Sequence, residues 1–124
     1  MRVLVCGSRF WSDWPIMLQR LNKLPQGCTI IEGGCKGADL MARRWAELYN
    51  VPVIELKAEW ARYGSKAGPI RNRKMLDLNP GLVLAFHSSI VTSKGTRDTL
   101  AEAQRRLIPT ELIEGNVTKM EDGR

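Results

Sequence analysis

Four short stretches of this chain set glycine beside cations, hydroxyls or carboxylates. They are Gly7-Ser8-Arg9, Gly33-Gly34-Cys35-Lys36-Gly37-Ala38-Asp39, Ala67-Gly68-Pro69-Ile70-Arg71-Asn72-Arg73 and Lys94-Gly95-Thr96-Arg97-Asp98. Glycine lets backbone approach a ligand closely. The accompanying cations and hydroxyls suit an anion, and a nucleotide is the natural candidate. Gly33-Gly34-x-x-Gly37 offers backbone N–H groups that can cradle a phosphate at the positive end of a helix, with Lys36 beside them. It is not a Walker A loop and lacks the G-x-G-x-x-G order of a dinucleotide fingerprint. A tight turn before a helix accounts for it equally well.

The other stretches carry complementary chemistry. Ser8 and Arg9 supply a hydroxyl and a cation, and Gly95-Thr96 supplies a second glycine-led helix start, where Thr96 binds a phosphate or caps the helix. Arg71 and Arg73 have forks that match phosphate oxygens, and Asn72 can read a base edge or hold a ribose. Asp39 either favours the helix dipole or serves as ribose acceptor or general base. Asp98 is the other candidate acid. Trp60 and Tyr63 can stack on a base or pack in a core. Cys6, Cys35 and His87 fall near expected strand ends but lack the close spacing of paired zinc ligands, so no metal or cofactor is expected. Replacing Arg71 by alanine or Gly34 by aspartate is expected to remove binding with the fold intact.

These stretches need a scaffold that brings them to one edge. Short apolar runs at Arg2–Cys6, Cys28–Glu32, Val51–Leu56, Leu82–Phe86 and Pro109–Ile113 read as strands. Helical periods run from Trp14 to Leu24, Gly37 to Tyr49, Pro69 to about Leu78, and Thr96 to Leu107. Asp13 and Pro15 suit the first helix start. Lys57 to Gly68 reads as a long connection, and His87 to Lys94 as a polar loop. Strands alternating with helices argue for an α/β fold, a single Rossmann-like doubly wound parallel sheet. Right-handed crossovers give about five strands in the order 3-2-1-4-5. Ligand then binds where the loops after strands one and four part. Residues 1–113 form this domain, and residues 114–124 form a polar tail expected to fray.

Composition narrows the class. The chain has 124 residues, enough for one domain with its own core. No apolar run is long enough for a membrane span or a signal-peptide core, so a cytoplasmic location and no membrane partner are expected. The three cysteines form no disulfide framework. A net charge of +6 and a pI near 9.6 point to an anionic partner, polymer or small molecule. From Ala61 to Leu76 there are five cations and no acid, which keeps nucleic acid open as a partner. Trp11 and Trp14 suit either a homodimer interface or the core.

The motifs taken together resemble the YspA/YpsA-related branch of the SLOG superfamily. Gly-Ser-Arg, Gly-Gly-x-x-Gly-Ala-Asp, Ala-x-Trp with Tyr-Gly, Ala-Gly-Pro-x-Arg-Asn and Gly-Thr-x-Asp occur here in order, over residues 1 to about 113. The resemblance implies a Rossmann-like fold and a nucleotide or nucleotide-derived ligand. The superfamily also holds the Lonely Guy phosphoribohydrolases, DprA-type DNA-uptake proteins and proposed nucleotide sensors. This branch is similar to small proteins of phages and mobile elements. The hydrolases' Gly-Gly-x-Gly-Thr-x-x-Glu motif corresponds here to Ser93–Thr99, with Thr99 in place of the glutamate and Asp98 one residue early. One residue is about 100° of helix rotation, which argues against glycosidic hydrolysis by that route. Arg73-Lys74-Met75 resembles the arginine segment of those enzymes. Three functions follow: a nucleotide sensor or sequestering module, a nucleotide N-glycosidic hydrolase using Asp39 or Asp98, and a nucleic-acid binder.

Overall fold

A computed structural model describes residues 1–88 and 94–118. Strands β1 (Arg2–Gly7), β2 (Thr29–Glu32), β3 (Val53–Glu55), β4 (Leu82–Phe86) and β5 (Thr110–Ile113) form one sheet in the order β3-β2-β1-β4-β5. Every pairing is parallel, with Val3 opposite Ile30 on one side and Leu82 on the other. This is the Rossmann-like order expected from the alternating elements.

The period of two along each strand divides the core into two layers. Val3, Val5, Ile30, Leu84 and Phe86 face helices α1 (Trp14–Leu21) and α2 (Ala38–Leu48). Leu4, Cys6, Ile31, Val83 and Ala85 face helices α4 (Ala67–Leu76) and α5 (Lys94–Arg105). Asp13 caps α1 by accepting from Ile16 N at 3.1 Å, and Pro15 sits in the first turn. Trp11 is core: it is 3% exposed and meets Phe86 edge-on at 5.4 Å. Trp14 lies under the Arg44 guanidinium at 5.7 Å.

Four expectations change. The Lys57–Gly68 connection is largely helical: it holds α3 (Trp60–Tyr63), a 3-10 turn over Gly64–Lys66, and the start of α4. Helix α4 opens at Ala67, before Pro69, because a proline costs no hydrogen bond within a first turn. Helix α5 ends at Arg105, and Leu107 has φ +60 and is 90% exposed, so it does not share the apolar face. Residues 116–118 do not fray. Trp11 and Val117 form an antiparallel bridge, Ser12 N donates to Asn116 O, and Asn116 N donates to Asp13 Oδ2. Residues 89–93 of the expected polar loop, and 119–124 of the expected tail, lie outside the described residues.

Candidate functional site

The sheet order reverses direction between β1 and β4, and a cavity of about 630 Å³ opens at their C-terminal ends. That size lies within the range of small-molecule sites. Gly7, Ser8 and Arg9 enter from the end of β1, and His87 and Ser88 from the end of β4. Lys94, Gly95 and Thr96, the first residues of α5, form another wall. Arg71 and Asn72 come from α4, Asp39 from α2 and Trp60 from α3. Eight of the expected ligand residues therefore share one cavity: Gly7, Ser8, Arg9, Asp39, Arg71, Asn72, Gly95 and Thr96.

Gly33, Gly34, Lys36, Gly37, Arg73 and Asp98 are not among its lining residues. The reason for the glycine turn is chemical. Gly33 N and Cys35 N both donate to Asp39 Oδ2, at 3.1 and 3.3 Å, and Gly34 N donates to Glu32 Oε1 at 2.6 Å. The donors that were to cradle a phosphate are taken by the protein's own carboxylates. Gly37 has a packing role: its N-terminal neighbours deliver the chain to α2, where Ala38 N donates to Ser8 O at 3.0 Å. Arg73 and Asp98 approach within 4.0 Å of each other between α4 and α5, and Asn72 Nδ2 donates to Asp98 Oδ2.

Asn72 positions its neighbours. Its Oδ1 accepts from Arg71 Nε at 3.0 Å while its Nδ2 donates to Asp98 Oδ2 at 3.3 Å, which leaves one N–H and one lone pair of the carboxamide for a ligand. Arg71 also donates through Nη1 to Gly33 O at 2.8 Å. One guanidinium thus ties α4 to the turn after β2 and sets its charge beside Asp39. Ser8 Oγ accepts from Phe10 N at 3.0 Å, and a hydroxyl in that role keeps its own proton to donate. Among the described residues, Arg9 is exposed and makes no ion pair.

Burial sets the electrostatics. It pushes Asp39 up from 3.8 to about 6, against the opposing pull of the Cys35 N–H, Arg71 and the Gly33 N–H. Cys6, on the same wall, is raised far beyond its ordinary range by burial and by Asp39, so its thiol stays protonated and unreactive. His87 is lowered by burial, which favours the neutral imidazole. Glu32 is fully buried opposite Glu55 in the β2–β3 register. Burial and this neighbour raise Glu32, while Glu55 is lowered, so the pair holds one proton between them. Arg43 Nη1 closes on Glu55 Oε2 at 2.8 Å from outside.

Two predictions follow from this wiring. A carboxyl with a raised folded pKa stabilises the protein at low pH and loses that contribution as pH rises through the folded value. Wild-type stability relative to Asp39→Asn should therefore fall by about 1 kcal/mol between pH 5 and 7. Urea unfolding at the two pH values measures it. The second concerns Arg71→Ala, which does not leave the fold untouched. It strips Gly33 O and Asn72 of a charged donor and leaves Asp39 without its counter-charge. A loss of about 2–4 kcal/mol is expected from denaturant unfolding. Gly34→Asp is equally unsuited to a clean binding test: its φ is +76, and a Cβ would lie 3.2 Å from the Glu55 carboxyl carbon.

The basic run from Ala61 to Leu76 is partly paired in three dimensions. Arg62 and Lys74 approach Glu59 at 3.6 and 3.9 Å, and Arg73 approaches Asp98 and Glu102 at 4.0 and 3.9 Å. Arg71 turns instead onto the Gly33 carbonyl. Sequence reasoning left His87, Thr99, Cys6 and Lys94 off the list of ligand residues, yet all line the cavity. Lys94 had a signal as the cation leading Gly95, Thr99 stands at the glutamate position of the hydrolase motif, and Cys6 and His87 fall near expected strand ends. Among the described residues no cluster of His, Cys, Asp or Glu is arranged to hold a metal. No helix among them is long and apolar enough to cross a membrane.

A parallel sheet of this order with a cavity at its reversal point defines a Rossmann-like α/β domain. The chain belongs to the YspA, cpYpsA-related SLOG family, whose model matches residues 1–63. It is also similar to the Gene 61 protein of Mycobacterium phage D29, with 38% identity over 117 residues covering 87% of this chain and 92% of that protein. That relative fits the phage association expected from the motifs. No solved structure matches the chain.

Proposed function

We propose that the cavity binds a nucleotide or nucleotide-derived ligand, and that the protein acts as a sensor or sequestering module for it. The observation that carries this reading is the joint lining of one cavity by the first turn of α5 and the cations Arg9, Arg71 and Lys94. The positive dipole end of a helix favours an anion, and the cations reinforce that preference. The phosphate belongs at Gly95 and Thr96, with the Ser8 hydroxyl opposite. Asp39, lining the cavity near Arg71, is the acceptor for a ribose hydroxyl.

Hydrolysis of the glycosidic bond is the second reading, favoured by one observation. Asp39, with a pKa near 6, can exchange a proton near neutral pH. The threonine at position 99 argues against it, because its Oγ1 is turned onto Gly95 O at 3.1 Å and brings no carboxyl. Nucleic-acid binding loses support through the pairing of Arg62, Arg73 and Lys74 with acids.

Thermal melting against nucleoside mono-, di- and triphosphates, cyclic nucleotides, NAD and ADP-ribose tests the proposal. A ligand at about 100 times its dissociation constant adds about 2.7 kcal/mol, a shift of several degrees. A selective shift with the ligand recovered intact supports the binding module. Released free base makes the protein a hydrolase. A flat panel removes both readings.

A further inference from the structure

The cavity wall is polar or cationic at α5 and at Ser8 and Arg9, and two aromatics line it as well: half-buried Phe10 in the loop after β1, and Trp60 of α3. This indole is 60% exposed. The other large exposed side chains, Leu48, Tyr49 and Leu107 among them, do not line the cavity. Tyr63, the neighbouring aromatic, is unavailable. Arg62 and Lys74 lie over its ring at 5.0 and 5.7 Å, and it borders a separate, smaller cavity.

Local structure fixes where Trp60 stands. It is the first residue of α3, whose turn closes with Gly64 N donating to Trp60 O. Glu59, one residue earlier, meets Lys74 of α4 at 3.9 Å and Arg62 of α3 at 3.6 Å, pinning α3 to α4. The indole edge lies beside Gly68 at the start of α4, where an added Cβ would stand 3.5 Å from it, an ordinary packing contact. A flat, anchored, solvent-facing aromatic at the rim of a cationic cavity has the form of a stacking platform, and every nucleobase presents a face to it.

We propose that Trp60 stacks on the base of the bound ligand, so that the site selects base-bearing phosphates over bare sugar phosphates. This rests on the nucleotide reading above and adds what that reading lacks, a group that recognises the base. Arg71, Lys94 and the α5 start answer for the phosphate, and Trp60, the more exposed of the two lining aromatics, answers for the ring.

The test is calorimetric titration with adenosine 5′-monophosphate, uridine 5′-monophosphate and ribose 5-phosphate, on wild type, Trp60→Ala and Trp60→Phe. Exposure of the indole means that both variants should fold, which melting curves check. Wild type should bind at least one nucleoside monophosphate about tenfold or more tighter than ribose 5-phosphate. Trp60→Ala should erase that margin and leave ribose 5-phosphate affinity unchanged, and Trp60→Phe should keep most of it. Ligand binding should also quench tryptophan fluorescence in wild type more than in Trp60→Phe. If ribose 5-phosphate binds as well as the monophosphates, or the margin survives in Trp60→Ala, stacking is overturned and the phosphate site stands. If none of the three probes binds, stacking on a nucleoside monophosphate is overturned, and the full melting panel decides the nucleotide reading separately.

Discussion

Gly95→Asp should leave the protein folded, even slightly more stable, while removing phosphate binding. Gly95 is the second residue of α5, and a Cβ built there meets nothing within 4 Å among the described residues. An acid in a first helical turn interacts favourably with the dipole, by about 0.3–1 kcal/mol. The melting temperature should therefore hold or rise. The same carboxylate stands where the ligand's phosphate is to sit. Two unit charges 4 Å apart near a protein surface repel by about 4 kcal/mol, and a phosphate carries more than one. Affinity should fall more than 100-fold, with Gly95→Ala close to wild type as the control. Calorimetric titration paired with melting curves separates the two effects. Retained affinity in a folded Gly95→Asp protein would place the anion elsewhere.

A large stability effect is expected from Gly37→Ala. Gly37 has φ +79, and an added Cβ would lie 2.3 Å from Ser8 O and 2.5 Å from the Arg9 carbonyl carbon. Those atoms are backbone, held by the Ala38 N to Ser8 O hydrogen bond at 3.0 Å, and have no rotamer into which to retreat. The substitution must push the loop after β1 away from the start of α2. A loss of about 3 kcal/mol or more is expected, a drop of roughly 10 °C in melting temperature. Gly27→Ala is the matched control. Its φ is +82, yet nothing lies within 4 Å, so it carries the backbone strain without the collision. It should cost only about 1–2 kcal/mol. Equal losses in the two variants would show that the close approach at Gly37 is not what matters. Because Ser8 and Arg9 line the cavity, Gly37→Ala should also weaken ligand binding in the fraction that folds.

The sheet order was legible because β1 and β4 are nearly unbroken apolar runs and because strands alternate with helical segments along the chain. Val3, Leu4 and Val5 are buried on both faces, which only a covered parallel sheet allows. Helix α3 was not legible. Its four residues are too few to show a period, and Glu59 makes no side-chain cap. Trp11 read equally as interface or core, and its place in the core is decided by the return of Val117, more than a hundred positions away.

The site was half legible, and the two halves differ in kind. Strand-end placement predicted that Ser8, Arg71 and Thr96 would meet, because parallel topology forces those junctions to one edge. The glycine turn was only partly legible because its spacing records only that backbone N–H groups are present. Their capture by Glu32 and Asp39 depends on where those carboxylates fold back. The acids beside the basic run were not legible for a related reason: Glu59 precedes the run and Asp98 and Glu102 follow it in sequence, yet all three lie against it in space.

The most direct measurement is an equilibrium titration of the wild-type chain with the common nucleoside 5′-monophosphates and, in parallel, the matching nucleosides. Saturable binding of at least one monophosphate at one site per chain, at least tenfold weaker when the phosphate is absent, is the expected result. Absence of saturable binding across the monophosphates, or equal affinity with and without the phosphate, would contradict an anion site at the start of α5.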